Sequence, residues 1–388
     1  MKIAVVRGEF LTKWEMQNFE PLMERAEVTA IGSRLAPFAL DTLRMPVERL
    51  FCVDPYINRS RVLRGSLGYM LGRYVGRQYL LGLESTLAGF DVAHAAETFN
   101  GFTYQAARAA HGRHRRKFRL VTSCYETIPF LHEEERPMRR QKHYVQQQAD
   151  VFLAMSPRAA DTLRLEGVDA KRIRTHFPGI DLRHFHPTPR VANDGFDLWT
   201  SQESLRVLLV GSITPEKGVT QFILAANEIS KQAAFNGRVE FALVGNGDHT
   251  LIQRMIATLR LENVVRHRTG VPYADMPRLY ASADLFVLPS LPAPYWEEQF
   301  GMVLAESMAC GKAVVSTTSG AIPDVVGDAG ILAPPYNYRD LAECIARLLR
   351  DDKERARLGE RAMSRARELF DAEVFAADMY RLYTELVD

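Results

Sequence analysis

Short apolar runs, each cut off by a glycine or a polar turn and followed by a helix-forming stretch, limit most strongly how this chain folds. Residues 3–6 (IAVV), 90–94 (FDVAH), 118–122 (FRLVT), 206–211 (RVLLVG), 241–244 (FALV) and 285–288 (LFVL) are of this kind, and 314–315 and 330–332 add to the set. Strands read as near-continuous apolar runs when helices cover both faces of a parallel sheet. The alternation of such runs with helical stretches predicts an α/β protein of doubly wound type. At 388 residues the chain is too long for one ordinary core, so two such domains are expected. Residues 184–204, with Pro187, Pro189 and the Asn193-Asp194-Gly195 turn and no sustained period, are the expected linker. The boundaries then read 1–183 for the first domain, 205–365 for the second, and 366–388 for a last helix.

Composition narrows the class. With 47% apolar and 25% charged residues the chain has the make-up of a soluble globular enzyme. A net charge of only +2 leaves attraction for anions to local patches, and no nucleic-acid partner is expected. Cys52, Cys124, Cys310 and Cys344 are scattered without any C-x-x-C spacing, which speaks for reduced thiols and against a disulfide frame or a zinc site. The start, MKIAVVRGEF, is a strand running into a charged loop, and no apolar run approaches the ~20 residues of a membrane span. Cytoplasmic residence is the expectation.

The chemistry gathers in residues 289–311, PSLPAPYWEEQFGMVLAESMACG. Pro289 stops the strand before it, a helix starts near Gly301 with Val303, Leu304, Met308 and Ala309 inward, and Gly311 suits its end. Glu298 falls in the loop before the helix and Glu306 falls inside it. Helical side chains lean toward the N-terminus, so Glu306 is expected to reach back toward Glu298. Backbone N–H groups of Phe300, Gly301 and Met302 at the positive end of the helix attract an anion such as phosphate. Two carboxylates beside that anion site suit a ligand carrying hydroxyls around its phosphates, because an ionised carboxylate only accepts hydrogen bonds. A nucleotide sugar is such a ligand. Taken as a bare pair, the two residues also fit an exposed acidic loop and a solvated helix Glu.

The run Glu298-Gln299-Phe300-Gly301 with Glu306 resembles the E-x-F-G-x-x-x-x-E signature of the retaining glycosyltransferases of GT-B fold known as family four, or group 1. Residues 281–290 (ASADLFVLPS) and 309–315 (ACGKAVV) are similar to the same family, and the likeness spans nearly the whole chain, with its most specific motifs in residues 205–335. It implies two Rossmann-like domains facing a central crevice, with the last helix, 366–388, crossing back to the first domain, a nucleoside-diphosphate sugar as donor substrate with UDP favoured, and no cofactor. Glu298 would contact the donor sugar's hydroxyls and Glu306 the ribose. Lys217, in the run from Gly211 to Gly218, would hold phosphate as a point charge, and Gly211 would let it approach the backbone. The family's arginine beside that glycine is Ser212 here, and Arg7 is a candidate replacement. Gly245 and Val271 open the two loops that would flank the base, and Gly8 stands alone for the family's glycine pair after the first strand.

Other strand ends of the first domain are expected to face ligand as well. His94 and Glu97 follow one strand, Tyr125 and Glu126 another. Where the family carries a second histidine this chain has Ala96, so Glu97, Glu126 or His94 would supply the missing contact; His94 as a structural histidine is the other reading. Trp14 is either an acceptor contact or a ring packed on its own domain. Residues 59–83 interleave Arg59, Arg61, Arg64, Arg73 and Arg77 with Leu, Tyr, Met and Val, and 111–119 (HGRHRRKFR) form a second basic stretch. These fit an anionic membrane surface with a lipid-linked or cell-surface glycan acceptor, or equally a solvated face with a soluble saccharide or small-molecule acceptor. No Asp-x-Asp stands in a matching loop, so no metal is expected. The reaction expected is retaining transfer of a hexose-type sugar to a hydroxyl. A nucleotide-sugar epimerase of the same architecture and a catalytically silent nucleotide-sugar-binding subunit remain open; isomerisation without any acceptor marks the first, and binding without turnover the second.

Overall fold

The computed structural model describes residues 1–34, 43–52, 78–111, 118–191 and 195–388. The Arg59 to Arg77 segment lies outside these residues, as do residues 112–117 of the second basic stretch. The described chain forms two units, Met1–Gly179 with Ala372–Asp388, and Ile180–Asp371.

In the first unit the strands are β1 (Lys2–Gly8), β2 (Glu27–Ser33), β3 (Val47–Cys52), β4 (Leu80–Leu81), β5 (Val92–Ala96), β6 (Arg119–Cys124), β7 (Val151–Ala154) and β8 (Ile173–Thr175). Among the described residues they form one sheet in the order β4-β3-β2-β1-β5-β6-β7-β8, parallel except for the β3–β4 pair. Both faces are covered, which explains the apolar runs. Ile3 and Val5 point to one core, and Ala4 and Val6 to another that includes Phe102 and Val145. Phe375, Met379 and Tyr383 form a stripe at four-residue spacing on the C-terminal helix Ala372–Val387, buried in the core with Ile3, Val5 and Phe19.

The second unit holds β9 (Leu205–Val210), β10 (Val239–Val244), β11 (Val265–Arg268), β12 (Leu285–Leu288), β13 (Ala313–Thr317) and β14 (Gly330–Ala333). Their order is β11-β10-β9-β12-β13-β14, all parallel, so strand order reverses between β9 and β12. In such sheets ligands bind beyond the carboxyl ends of the strands at that reversal.

The stretch expected as a linker is packed into this unit. Phe185, Phe196 and Leu198 are buried, Trp199 donates its indole N–H to Ser282 (3.0 Å), and the N–H groups of Thr200 and Ser201 donate to the Glu240 carboxylate at 2.6 and 3.0 Å. Its missing periodicity reflects irregular backbone capped by side chains rather than a free tether. The unit boundary falls earlier, at Gly179, where a Cβ would lie 2.5 Å from Ala372 Cα.

Because Phe375 is fully buried under the first sheet, Phe375→Ala is expected to cost about 3–5 kcal/mol. Urea unfolding of the whole chain reads this out, and an unchanged first transition would contradict the packing described.

Candidate functional site

The turn after β9 carries Gly211, Ser212 and a short 3-10 segment, Pro215–Lys217, closed by Gly218 in the left-handed conformation (φ 70°). Gly218 lies against the strand exit next door: a Cβ there would sit 1.8 Å from the Pro289 carbonyl oxygen that follows β12. This contact aims Lys217 across the reversal. Its ammonium donates to both Glu298 oxygens, at 3.0 and 2.7 Å, and stands 5.0 Å from the centre of the Trp296 ring. Ser290 Oγ adds a third bond to Glu298, at 2.7 Å.

Glu298 is 5% exposed, and its backbone is clamped as firmly as its carboxylate. Its carbonyl accepts from Ala321 N–H (2.8 Å), and Gly320 (φ 55°) passes so close that a Cβ would fall 2.1 Å from the Glu298 oxygen. Ser290, Trp296 and Gly320 are parts of the site that pattern reading missed. Their roles depend on contacts between loops, which spacing along the chain does not reveal.

The helix after Glu298 runs Met302–Ala309, with Gly301 at its start at φ 80°. Phe300 turns its ring into the core against Phe370, so only its backbone belongs to the helix mouth. Glu306 does not bond Glu298. Its carboxylate is buried and accepts from the hydroxyls of Tyr280 (2.8 Å) and Tyr273 (3.1 Å). Burial pushes its pKa up to about 7, against the pull of the two tyrosine hydrogen bonds. Gly245, after β10, packs on the β9 exit, where a Cβ would lie 1.7 Å from the Gly211 oxygen. Next to Val271, Gly270 N–H donates to Asn246 Oδ1 at 3.1 Å. The structure therefore brings Gly211, Gly245, Lys217 and Glu298 together at the ends of β9, β10 and β12, with Gly301, Met302 and Glu306 on the helix that follows.

The first unit corrects several expectations. His94 lies inside β5, fully buried, with Nε2 on Ser123 Oγ (2.6 Å) and Nδ1 on the Tyr383 hydroxyl. Nδ1 thus ties the C-terminal helix to the sheet, and Nε2 joins β5 to β6. Burial, with the Arg7 charge nearby, holds its pKa well below the usual histidine value, so it stays neutral. Arg7 is no free phosphate clamp: it is fully buried, paired with Glu15, and its Nη1 donates to the carbonyls of Val6 and His94, both at 3.0 Å. Gly8 is confined at φ 57°, where a Cβ would meet Gln78 at 2.8 Å. One Glu126 oxygen caps its own loop, accepting from Thr127 N–H (2.9 Å) and Ile128 N–H (2.8 Å). Ala96 is buried, and its carbonyl accepts from Asn100 and Thr103. Glu97 sits just past β5 at φ 61°, bonded to Tyr125 N–H at 2.8 Å, and burial followed by the neighbouring Glu126 pushes its pKa up to about 8. Among the described residues no three His, Cys, Asp or Glu side chains gather as metal ligands, and no helix is long and apolar enough to cross a membrane.

Two family descriptions fit the chain: Glycosyl transferases group 1 over residues 196–365, and Glycosyltransferase Family 4 over residues 35–184. The chain is 31% identical over 267 residues to the D-inositol 3-phosphate glycosyltransferase of Paenarthrobacter aurescens, covering 66% of this chain and 64% of that protein. It is 27% identical over 252 residues to the MMP alpha-(1->4)-mannosyltransferase of Mycolicibacterium hassiacum, covering 64% and 56%. The chain thus spans less than two thirds of these relatives' length. Among solved structures, Anabaena HepE in complex with UDP and glucose superposes with a TM-score of 0.77 at 20% identity, covering 99% of this chain and 100% of that one. Sucrose-phosphate synthase from Thermosynechococcus elongatus gives 0.76 at 21%, covering 100% and 99%. These likenesses establish the GT-B fold.

The raised pKa of Glu306 has a sign that can be checked. Folding favours its acid form, so that contribution is complete below the ordinary value of 4.5 and is lost as pH rises through about 7. Glu306→Gln, neutral throughout, is expected to gain on the native protein by on the order of 2–3 kcal/mol between about pH 5 and pH 8. Urea unfolding at both pH values measures the gap, and a constant gap would contradict the assignment.

Proposed function

The chain belongs to the group 1 glycosyltransferases, and from that membership we propose that it moves a hexose-type sugar from a nucleoside-diphosphate sugar to a hydroxyl acceptor with retention of anomeric configuration. UDP is the favoured nucleotide, and HepE, the similar structure, was solved with UDP and glucose. The observation that carries the reading is the placement of Lys217 and Glu298 on the two sides of the strand reversal, beside the helix that starts at Gly301.

In this reading Lys217 and the helix N-terminus take the diphosphate, so no metal is called for. Gly211 and Gly245 let it approach the backbone, and Val271 flanks the base. Each Glu306 oxygen has a second lone pair beside the one a tyrosine hydroxyl occupies, and these are where ribose hydroxyls would donate. Glu298, relieved of Lys217, would accept hydrogen bonds from the donor sugar and orient it. The bond from C1 to the leaving phosphate oxygen breaks, the acceptor oxygen bonds C1 on the same face, and the acceptor proton passes to the leaving diphosphate. A product NMR spectrum showing the donor's anomeric configuration is expected, and an inverted product would overturn the mechanism.

The ion pair adds a refinement. Glu298 competes with diphosphate for the Lys217 ammonium, so Glu298→Ala is expected to bind UDP at least as tightly as the native protein while losing turnover. Lys217→Ala and Glu306→Ala should each weaken UDP roughly ten- to hundredfold, the loss of a charge-assisted hydrogen bond. Calorimetric titration with UDP decides this, and equal affinities in all three variants would refute the roles.

We extend the proposal to location: residence in the cytoplasm, with a lipid-linked or surface glycan as acceptor and the arginines of residues 59–77 drawing the protein to anionic lipid. Cosedimentation with anionic liposomes at low salt, reversed at high salt, is expected. Protein left in the supernatant at low salt would remove the membrane from the account.

A further inference from the structure

The Lys217 ammonium is held from two sides. Glu298 takes it in two hydrogen bonds, at 3.0 and 2.7 Å, and the centre of the Trp296 ring lies 5.0 Å away. The face of an aromatic ring is negative and attracts a cation, an indole more than the other rings. A diphosphate acts differently on the two holders. Its oxygens compete with the Glu298 carboxylate for the same N–H groups and repel its charge, whereas the ring carries no net charge to be repelled.

The loop that carries the ring fixes where it stands. Ala293 and Trp296 exchange backbone hydrogen bonds, at 2.6 Å from Ala293 N–H and 3.2 Å from Trp296 N–H, which closes residues 293–296 into a tight turn. That turn is pinned to Glu216, the neighbour of Lys217 in the chain. Leu291 N–H donates to the Glu216 carbonyl at 2.7 Å, and the Tyr295 hydroxyl donates to the Glu216 carboxylate at 3.2 Å. From the loop after β14 the Tyr336 hydroxyl donates to the Pro292 carbonyl. The indole and the ammonium are thus placed relative to each other by contacts that involve neither of them.

The use of such a ring follows from the flexibility of lysine, whose ammonium rides on a four-carbon stem with many rotamers. Ordering such a side chain at the moment of binding costs affinity. With the ring removed, Glu298 is the one partner left to the ammonium among the described residues. Lys217 then either settles further onto that carboxylate or swings into water, and an incoming diphosphate has to reorder it in both cases. With the ring present, the ammonium keeps one position before and after the exchange.

Resting on the donor reading above, we propose that Trp296 is a positioning residue for the diphosphate: its ring face holds the Lys217 ammonium in place while the donor's phosphates displace Glu298. Trp296 acts through Lys217 and takes no part in holding the nucleoside.

Calorimetry with UDP and saturation-transfer NMR with uridine, both on the full chain, test this. Trp296→Leu is expected to bind UDP roughly three- to tenfold more weakly than the native protein and uridine equally well, which also shows that the variant is folded. Trp296→Phe, which keeps a ring face, should lose less. The decisive comparison is a double-mutant cycle: in a Lys217→Ala background Trp296→Leu should cost nothing further, because the ring has no ammonium left to hold. Native UDP affinity in Trp296→Leu, an equal loss for uridine, or the same loss repeated in the Lys217→Ala background overturns the proposal. A native protein that binds no UDP contradicts the donor reading itself, and the proposal falls with it.

Discussion

A carboxylate that has lost nearly all contact with water needs partners, and the site in the second unit is built around supplying them to Glu298. Lys217 gives charge and two hydrogen bonds, and Ser290 gives a third. For an ammonium from the turn after β9 to meet a carboxylate from the loop after β12, those strands must be neighbours and their exits must nearly touch. Gly218 against Pro289 and Gly320 against Glu298 achieve this, and neither position has room for a side chain. The same closeness puts a cation, a carboxylate and a helix N-terminus within one small region, which is what a charged, hydroxyl-rich ligand requires. In the proposed donor reading, an incoming diphosphate would offer Lys217 a second anion and free Glu298 for hydroxyls.

The first unit uses buried polar groups differently. Its histidine and arginine serve the scaffold: His94 joins β5 and β6 to the C-terminal helix, and Arg7 satisfies the carbonyls where β1 and β5 diverge. Glu97 stands past the end of β5, where burial and then the neighbouring Glu126 raise its pKa while Lys142 pulls the other way. Both units thus place a buried ion pair at a strand reversal, Lys217 with Glu298 in one and Arg7 with Glu15 in the other.

The sequence revealed the fold well and the site in part. Apolar runs bounded by glycine mark the strands at β1, β5, β6, β9, β10 and β12, because parallel strands covered on both faces leave that signature. The helix start at Gly301 is legible too, since turn glycines and helix N-termini act locally, whereas a place for Lys217 beside it came only from the family resemblance. Partner choice was not legible. Tyr383 lies 289 residues from His94, and only the docking of the C-terminal helix makes that histidine structural. Glu306 was expected to lean toward Glu298, yet Tyr273 and Tyr280, brought in by another loop and helix, hold it. The stretch 184–204 looked like a tether because its order comes from Glu240 and Ser282, side chains far along the chain.

The central claim, that the Lys217–Glu298 pair and the helix at Gly301 form the donor site, is tested most directly by a crystal structure with UDP bound. The account predicts the diphosphate within hydrogen-bonding distance of the Lys217 ammonium and the N–H groups at the start of helix Met302–Ala309, with ribose hydroxyls on Glu306. UDP bound elsewhere, or bound there with Lys217 still paired to Glu298 and no ribose contact at Glu306, would contradict it.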